Sequence, residues 1–166
     1  MERIDFNNAA LNDLERIVAI YNSTIESRVV TADLEPVSVQ SKVNWFHQHT
    51  PEKRPLWVVK DTNEIIGWVS FQDFYGRPAY DGTAEISIYL APEHRGKGLG
   101  KQILSHSISE CGKLGINTLL GYIFAHNEPS LKLFLNAGFE EWGHFPRIAN
   151  LDGIERSLKI LGKRVS

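Results

Sequence analysis

The stretch from Ala84 to Lys101, AEISIYLAPEHRGKGLGK, constrains the fold of this chain more than any other. Ala84, Ile86, Ile88 and Leu90 alternate with Glu85, Ser87 and Tyr89. That period of two, rich in β-branched and aromatic residues, predicts a strand with one apolar face and one face of functional groups. Pro92 stops the ladder because it has no backbone donor. A helical apolar rhythm then starts near Leu99 and runs through Ile103, Leu104, Ile108, Cys111 and Leu114. Gly96, Gly98 and Gly100 therefore fall at a strand-to-helix junction. Without Cβ atoms they let backbone N–H groups approach a ligand, and the unpaired N–H groups of the first helical turn favour negative charge. The segment from Arg95 through Lys97, Leu99 and Lys101 is a phosphate cradle by construction.

Two familiar glycine motifs fail here. The nucleoside-triphosphate loop G-x-x-x-x-G-K-[ST] would need Gly where Arg95 stands and Ser or Thr where Gln102 stands. The dinucleotide pattern G-x-G-x-x-G ends on Lys101 when begun at Gly96 and on Ile103 when begun at Gly98. Arg95-x-x-Gly98-x-Gly100 instead resembles the [QR]-x-x-G-x-[GA] pyrophosphate loop of the GCN5-related N-acetyltransferase (GNAT) superfamily. That resemblance implies acetyl-coenzyme A (acetyl-CoA) as cosubstrate.

The remaining pattern is consistent with one domain spanning residues 1–166. At 42% apolar and 23% charged, a chain of 166 residues supports a substantial single core. A net charge of −2 with scattered Lys and Arg argues against nucleic acid or anionic membranes as partners. No apolar run nears the roughly 20 residues that span a bilayer, and the N-terminus lacks a basic-then-apolar signal, so a cytoplasmic location is expected. The lone Cys111 sits in a helical apolar stripe and reads as a packed thiol. In chain order the pattern predicts a strand at 2–6 and a helix carrying Leu11, Leu14, Ile17, Val18 and Tyr21. An irregular segment, 24–37, follows and could cover a site, with Arg28, Thr31 and Glu35 as pocket candidates. A second helix runs from Ser38 as N-cap to His49, and strands at 56–60 and 65–74 form a hairpin. After a loop at 75–82 come the strand and helix described above. A strand at 118–124, a helix at 130–136 with Pro129 before it and Gly138 after it, and strands at 139–145 and 154–161 complete the chain. This is a mixed α/β (α+β) sandwich of three layers: a largely antiparallel central sheet flanked by helices, matching the GNAT fold from end to end. His47 and His49, with no third ligand, read as a solvated helix face rather than a metal site.

The resemblance narrows to the phosphinothricin and methionine sulfoximine acetyltransferase branch. Ala79-Tyr80-Asp81-x-Thr83-Ala84-Glu85-x-Ser87-x-Tyr89 is similar to that branch's AYDxTAExTxYV segment. Tyr21-Asn22, Trp45-Phe46, Asn127-Glu128-Pro129-Ser130 and Ala137-Gly138-Phe139 also stand where the branch has similar residues. The likeness implies a homodimer. It also implies backbone contacts to the pantetheine and thioester near Ile88, Tyr89 and Leu90, freed by a widened gap or bulge in the central strand, and a coenzyme contact at Asn127 with Ser130 beside it. Asn127 reads equally as the cap of the following helix. One departure matters: the branch has His, and many superfamily members Tyr, where this chain has Phe134, which cannot donate a proton.

The chemistry points the same way. An amine is protonated near neutral pH and must lose a proton before it can attack a thioester. Glu85, on the polar strand face just before the cradle, is the candidate base and is the branch's assigned base, with Ser87 beside it. Phe74, Tyr75 and Tyr80 are candidates to wall an acceptor's side chain, and Arg77 to pair with its carboxylate, although Arg77 reads equally as a surface residue. The expected function is acetyl transfer from acetyl-CoA to the amine of a small amino acid or analogue, such as methionine sulfone, by direct attack. The alternatives are another amine (aminoglycoside, polyamine or protein N-terminus) or a non-catalytic acyl-CoA sensor.

Overall fold

The computed structural model describes residues 3–166. It contains strands β1 (Ile4–Asn8), β2 (Leu56–Asp61), β3 (Glu64–Asp73), β4 (Thr83–Leu90), β5 (Thr118–Phe124), β6 (Glu140–Leu151) and β7 (Ile154–Arg164). Helices are α1 (Leu14–Asn22), α2 (Val43–His47), α3 (Leu99–Glu110) and α4 (Glu128–Asn136). All seven strands join one sheet in the order β1-β2-β3-β4-β5-β7-β6, with β4 and β5 its one parallel pair.

Alternation sends successive side chains to opposite faces, and both faces are covered. On one, Leu14, Ile17, Val18 and Ile20 of α1 pack with Leu56, Val58 and Trp68, and Val43, Trp45 and Phe46 of α2 close the cluster. On the other, Leu99, Ile103 and Leu104 of α3 and Phe134 of α4 bury Val69, Phe71, Ala84, Ile86, Leu119 and Ile123. The result is a mixed three-layer sandwich, as the residue pattern predicts. Cys111 is fully buried in the second cluster, and burial pushes its thiol pKa up to about 11, which fits a packed, inert cysteine. Among the described residues no helix is long and apolar enough to cross a membrane.

Several boundaries differ from the sequence expectation. The first strand runs 4–8 rather than 2–6, and Glu2 lies outside the described residues. The helix expected from Ser38 to His49 is a 3-10 turn, Gln40–Lys42, followed by the short α2. The cap position of that turn is Val39 rather than Ser38; Ser38 stands one residue before it, its Oγ accepting from the Ser41 N–H at 3.1 Å. Helix α4 begins two residues early because Asn127 Oδ1 accepts from the Ser130 N–H and Pro129 fits the first turn. The last two strands are longer than expected. Bulges between Glu141 and Gly143 and between Phe145 and Ala149 absorb Pro146, which cannot join a ladder, and let pairing resume up to the Asp152-Gly153 turn.

Candidate active site

The site starts from a strand pairing that stops early. Strand β4 keeps unbroken register with β3 to Leu90, but its ladder with β5 covers only Thr83–Glu85 against Thr118–Leu120. Beyond Glu85 the two strands part, and the opening is a gap between strands, with no bulge between β3 and β4. It is lined by Ser87, Ile88 and Tyr89 on one side and Gly121, Tyr122 and Ile123 on the other, with Asn127, Ser130 and Phe134 at its α4 end. Backbone groups along this edge of β4 are left without sheet partners, which suits an extended amide-bearing ligand. Gly121 is needed for close packing: a Cβ there would lie 2.8 Å from the Phe134 ring. Phe134 thus floors the cleft as buried hydrocarbon and carries no group able to donate a proton.

The cradle follows directly from β4. Gly96 and Gly98 adopt φ +73° and +78°, conformations that L side chains rarely take, and apart from their immediate chain neighbours nothing lies within 4 Å of where their Cβ atoms would be. The loop is open at the mouth of the cleft, and Gly98 is the N-cap of α3, whose first N–H groups face the same space. Arg95 turns away: its Nε donates to the Leu90 carbonyl at 3.0 Å and its Nη2 to Ser23 Oγ at 3.1 Å. Its side chain braces the loop against the end of β4 and the C-terminus of α1. Lys97 and Lys101 are exposed beside the glycines. Open glycines at positive φ, a helix N-terminus and flanking lysines together fit a diphosphate, and the cleft behind them fits a pantetheine arm.

Glu85 stands where the cleft closes, opposite Gln72 of β3 and Leu120 of β5. It is partly buried, and burial raises its carboxyl pKa. Beside it a pocket of about 130 Å3 opens between α1, α2 and the sheet. Tyr21, Trp45, Trp68 and Tyr89 wall it, Ser70, Gln72 and Ser87 supply polar groups, and Lys42 is its one charged lining residue. Tyr89 stacks on Trp68 with centroids 4.5 Å apart. The Tyr21 hydroxyl is tied to Thr31 and Asp33, and burial with the Asp33 contact raises its pKa to about 12. The irregular segment 24–37 is thereby drawn over the site, with Val30 at the cleft and Val37 in the pocket. Arg28 instead pairs with Asp152 at 2.6 Å, and Glu35 is exposed.

The loop candidates lie farther out. Phe74, Tyr75 and Tyr80 form an aromatic cluster with centroids 5.6–5.8 Å apart, Tyr75 being 64% exposed, and Arg77 is exposed beside them. None of the four lines the pocket. The buried Arg54 fixes this loop at both ends, with its Nε 2.7 Å from Asp73 and its Nη2 donating to the Asp81 carbonyl. The histidine pair also needs correction. His47 is exposed, but His49 is turned inward, with Nδ1 2.9 Å from the Trp45 carbonyl and Nε2 2.8 Å from Ser70 Oγ. Burial lowers its pKa, so it is a structural group behind the pocket and not part of a solvated face. Lys42 and Tyr122 are the residues that sequence reasoning missed. Lys42 lies three positions before Trp45 and so shares its helical face. Tyr122 alternates with the core residues Leu119 and Ile123 on a strand beside the cleft.

A strand gap ending at a part-buried carboxylate, entered past a glycine cradle, defines an acyltransferase that uses a coenzyme A thioester. Residues 17–139 match the acetyltransferase (GNAT) family, and the chain belongs to it as an acetyl-CoA-dependent N-acetyltransferase. Within the family it falls in the phosphinothricin and methionine sulfoximine branch. It is 54% identical over 155 residues to YwnH of Bacillus subtilis (strain 168), covering 93% of this chain and 94% of that protein, which is named only provisionally as a phosphinothricin acetyltransferase. It is 30% identical over 147 residues to an L-methionine sulfoximine/L-methionine sulfone acetyltransferase of Pseudomonas paraeruginosa, covering 88% of this chain and 86% of that one. A crystal structure of a phosphinothricin acetyltransferase from Sinorhizobium meliloti, in complex with acetyl-CoA, superposes with TM-score 0.90 at 29% identity, covering 99% of this chain and 89% of that chain.

Proposed function

We propose that this single-domain protein acetylates the α-amine of a small amino acid or analogue of the methionine sulfone, methionine sulfoximine or phosphinothricin type, with Glu85 as the base. The observation that carries the reading is the pocket beside Glu85: aromatic walls, one cation and no lining carboxylate. A polyamine or aminoglycoside needs acidic partners, and this pocket has none, whereas an amino acid presents one carboxylate to one cation. Lys42, rather than Arg77, is the cation placed to meet it. Gly96–Lys101, the Ile88–Leu90 backbone, Asn127 and Ser130 hold the coenzyme, and Ser87 lies between the two substrates. The protein works in the cytoplasm, where the thioester is made.

A panel of amines assayed by thiol release tests this. Turnover is expected with methionine sulfone and little with decarboxylated analogues or spermidine; a preference for the polyamine would overturn the reading. Lys42→Met should raise KM for the amino acid about 10-fold or more, the scale of one lost charge-assisted hydrogen bond, and leave KM for acetyl-CoA unchanged.

The edge of the sheet supports a homodimer. Strand β6 is terminal, and Trp142, Phe145 and Ile148 on it and Ile154 across the turn are 43–58% exposed. Such a row favours pairing with a second copy. Light scattering should give twice the chain mass at micromolar concentration, and Trp142→Glu with Phe145→Glu should halve it.

A further inference from the structure

We propose that Tyr122 is the acid that protonates the departing coenzyme A thiolate, supplying from β5 the proton that the α4 position, Phe134, cannot. The proposal rests on Glu85 as base and on the thioester lying in the β4–β5 cleft. From the cradle at the end of β4 back to Glu85, the strand runs about 17 Å. An extended arm entering there brings its sulfur toward the closed end of the gap, where Tyr122 sits two residues beyond Leu120, the partner of Glu85.

The other groups along the cleft are committed or unsuited. Tyr89 lines the acceptor pocket, stacked on Trp68 and packed beside Tyr21, and so sits on the amine's side of the strand; Phe134 has no proton to give. The hydroxyls of Ser87 and Ser130 are weaker acids than a phenol. The Asn127 side chain caps α4. Tyr21 is held by Thr31 and Asp33 outside the cleft. Among the described residues no hydrogen bond engages the Tyr122 hydroxyl, which is half-buried and close enough to Glu85 that the carboxylate's charge adds to burial in raising its pKa. A phenol kept protonated above neutral pH, beside the base, is placed to give a proton and to regain one.

The protons balance. The acceptor arrives as an ammonium and loses two protons. The first passes through Glu85 to water before attack. The second is left on Glu85 once the N–C bond has formed. As the C–S bond breaks, its electron pair goes to sulfur, and sulfur takes the Tyr122 proton while the O–H pair stays on the phenolate. The proton on Glu85 then restores the phenol, so one proton leaves to solvent and one stays on the thiol.

Tyr122→Phe keeps the ring and should lower kcat roughly 10–100-fold, below the full range for general acids because a thiolate is a tolerable leaving group. KM for acetyl-CoA and the melting temperature should not move. Fluorotyrosine at position 122, a stronger acid, should bring the alkaline fall in kcat to lower pH than in the wild type; a purely structural phenol would not do this. A Tyr122→Phe enzyme with wild-type kcat, or a fluorotyrosine enzyme with an unmoved pH profile, overturns the proposal and leaves the base assignment intact. Loss of turnover confined to KM also overturns it. A wild type inactive on every amine removes the base assignment and this inference together.

Discussion

Glu85→Gln lowers kcat by roughly 100- to 1,000-fold while the protein still binds acetyl-CoA with unchanged affinity. Removing a general base forfeits about that much rate, and the amide keeps the shape of the carboxyl group. The proposed coenzyme contacts lie along the cleft and the cradle, and Glu85 is not among the residues lining that cleft. The pH behaviour carries a second signature. A base of this kind works as a carboxylate, so with Glu85 in that role kcat/KM should fall as pH drops through its pKa. Because burial raises that pKa, the acidic limb lies at higher pH than an exposed carboxylate would place it, and the Gln variant loses the limb. Stability moves the other way. Folding raises the pKa of this acid, so the folded state favours its protonated form; the destabilisation from burying the charge is absent below the unfolded pKa and fully present above the folded one. Glu85→Gln is therefore as stable as wild type or more so at pH 7, with the difference vanishing in acid. Turnover by titration of released thiol, coenzyme affinity by calorimetry and melting at two pH values check all three. Unchanged turnover in the variant would remove Glu85 from the mechanism, and lost coenzyme binding would make it a ligand contact instead.

The second large effect is at the cradle. Gly98→Val forces a β-branched side chain into φ +78° and places its methyl groups in the open space above the first N–H groups of α3. Affinity for acetyl-CoA should fall about 10–100-fold, the scale of one or two lost charge-assisted hydrogen bonds, while kcat at saturation stays near wild type. Gly98→Ala, which adds strain but less bulk, should fall in between. The measurement is KM for acetyl-CoA at fixed acceptor; equal KM in all three proteins would mean that the diphosphate is gripped elsewhere.

What could be read from the chain alone was local. Strand β4, the glycine turn and the start of α3 depend on alternation, Pro92 and neighbouring glycines, all within eighteen consecutive residues, and the prediction of Glu85 on the polar face needs nothing more. The acceptor side was not legible in this way. Lys42 becomes a pocket residue only because α2 docks across β3 and β4, a contact between distant segments. The aromatic residues at 74, 75 and 80 read as a pocket wall by composition, yet Arg54 holds their loop at the sheet's edge. Tyr122 looked like an ordinary strand residue because its surroundings depend on where the β4–β5 ladder ends. The early helix was overextended because Val39, Val43 and Trp45 keep the helical rhythm, while Lys42, at φ −103°, breaks the backbone between a 3-10 turn and α2.

The short β4–β5 ladder has a further consequence. Between Ile86 and Leu90 one side of an interior strand has amides and carbonyls that no other strand serves. On the proposed reading, the cosubstrate's amides would pair with that edge, so the folded chain and its acyl donor would share one hydrogen-bonded network. Ligand occupancy then acts as a thermodynamic rivet, adding about 2.7 kcal/mol to the unfolding free energy at a hundredfold excess over Kd. Amide deuteration along that edge slows as the gap fills, so the protein is most open to proteolysis when its thioester supply runs out.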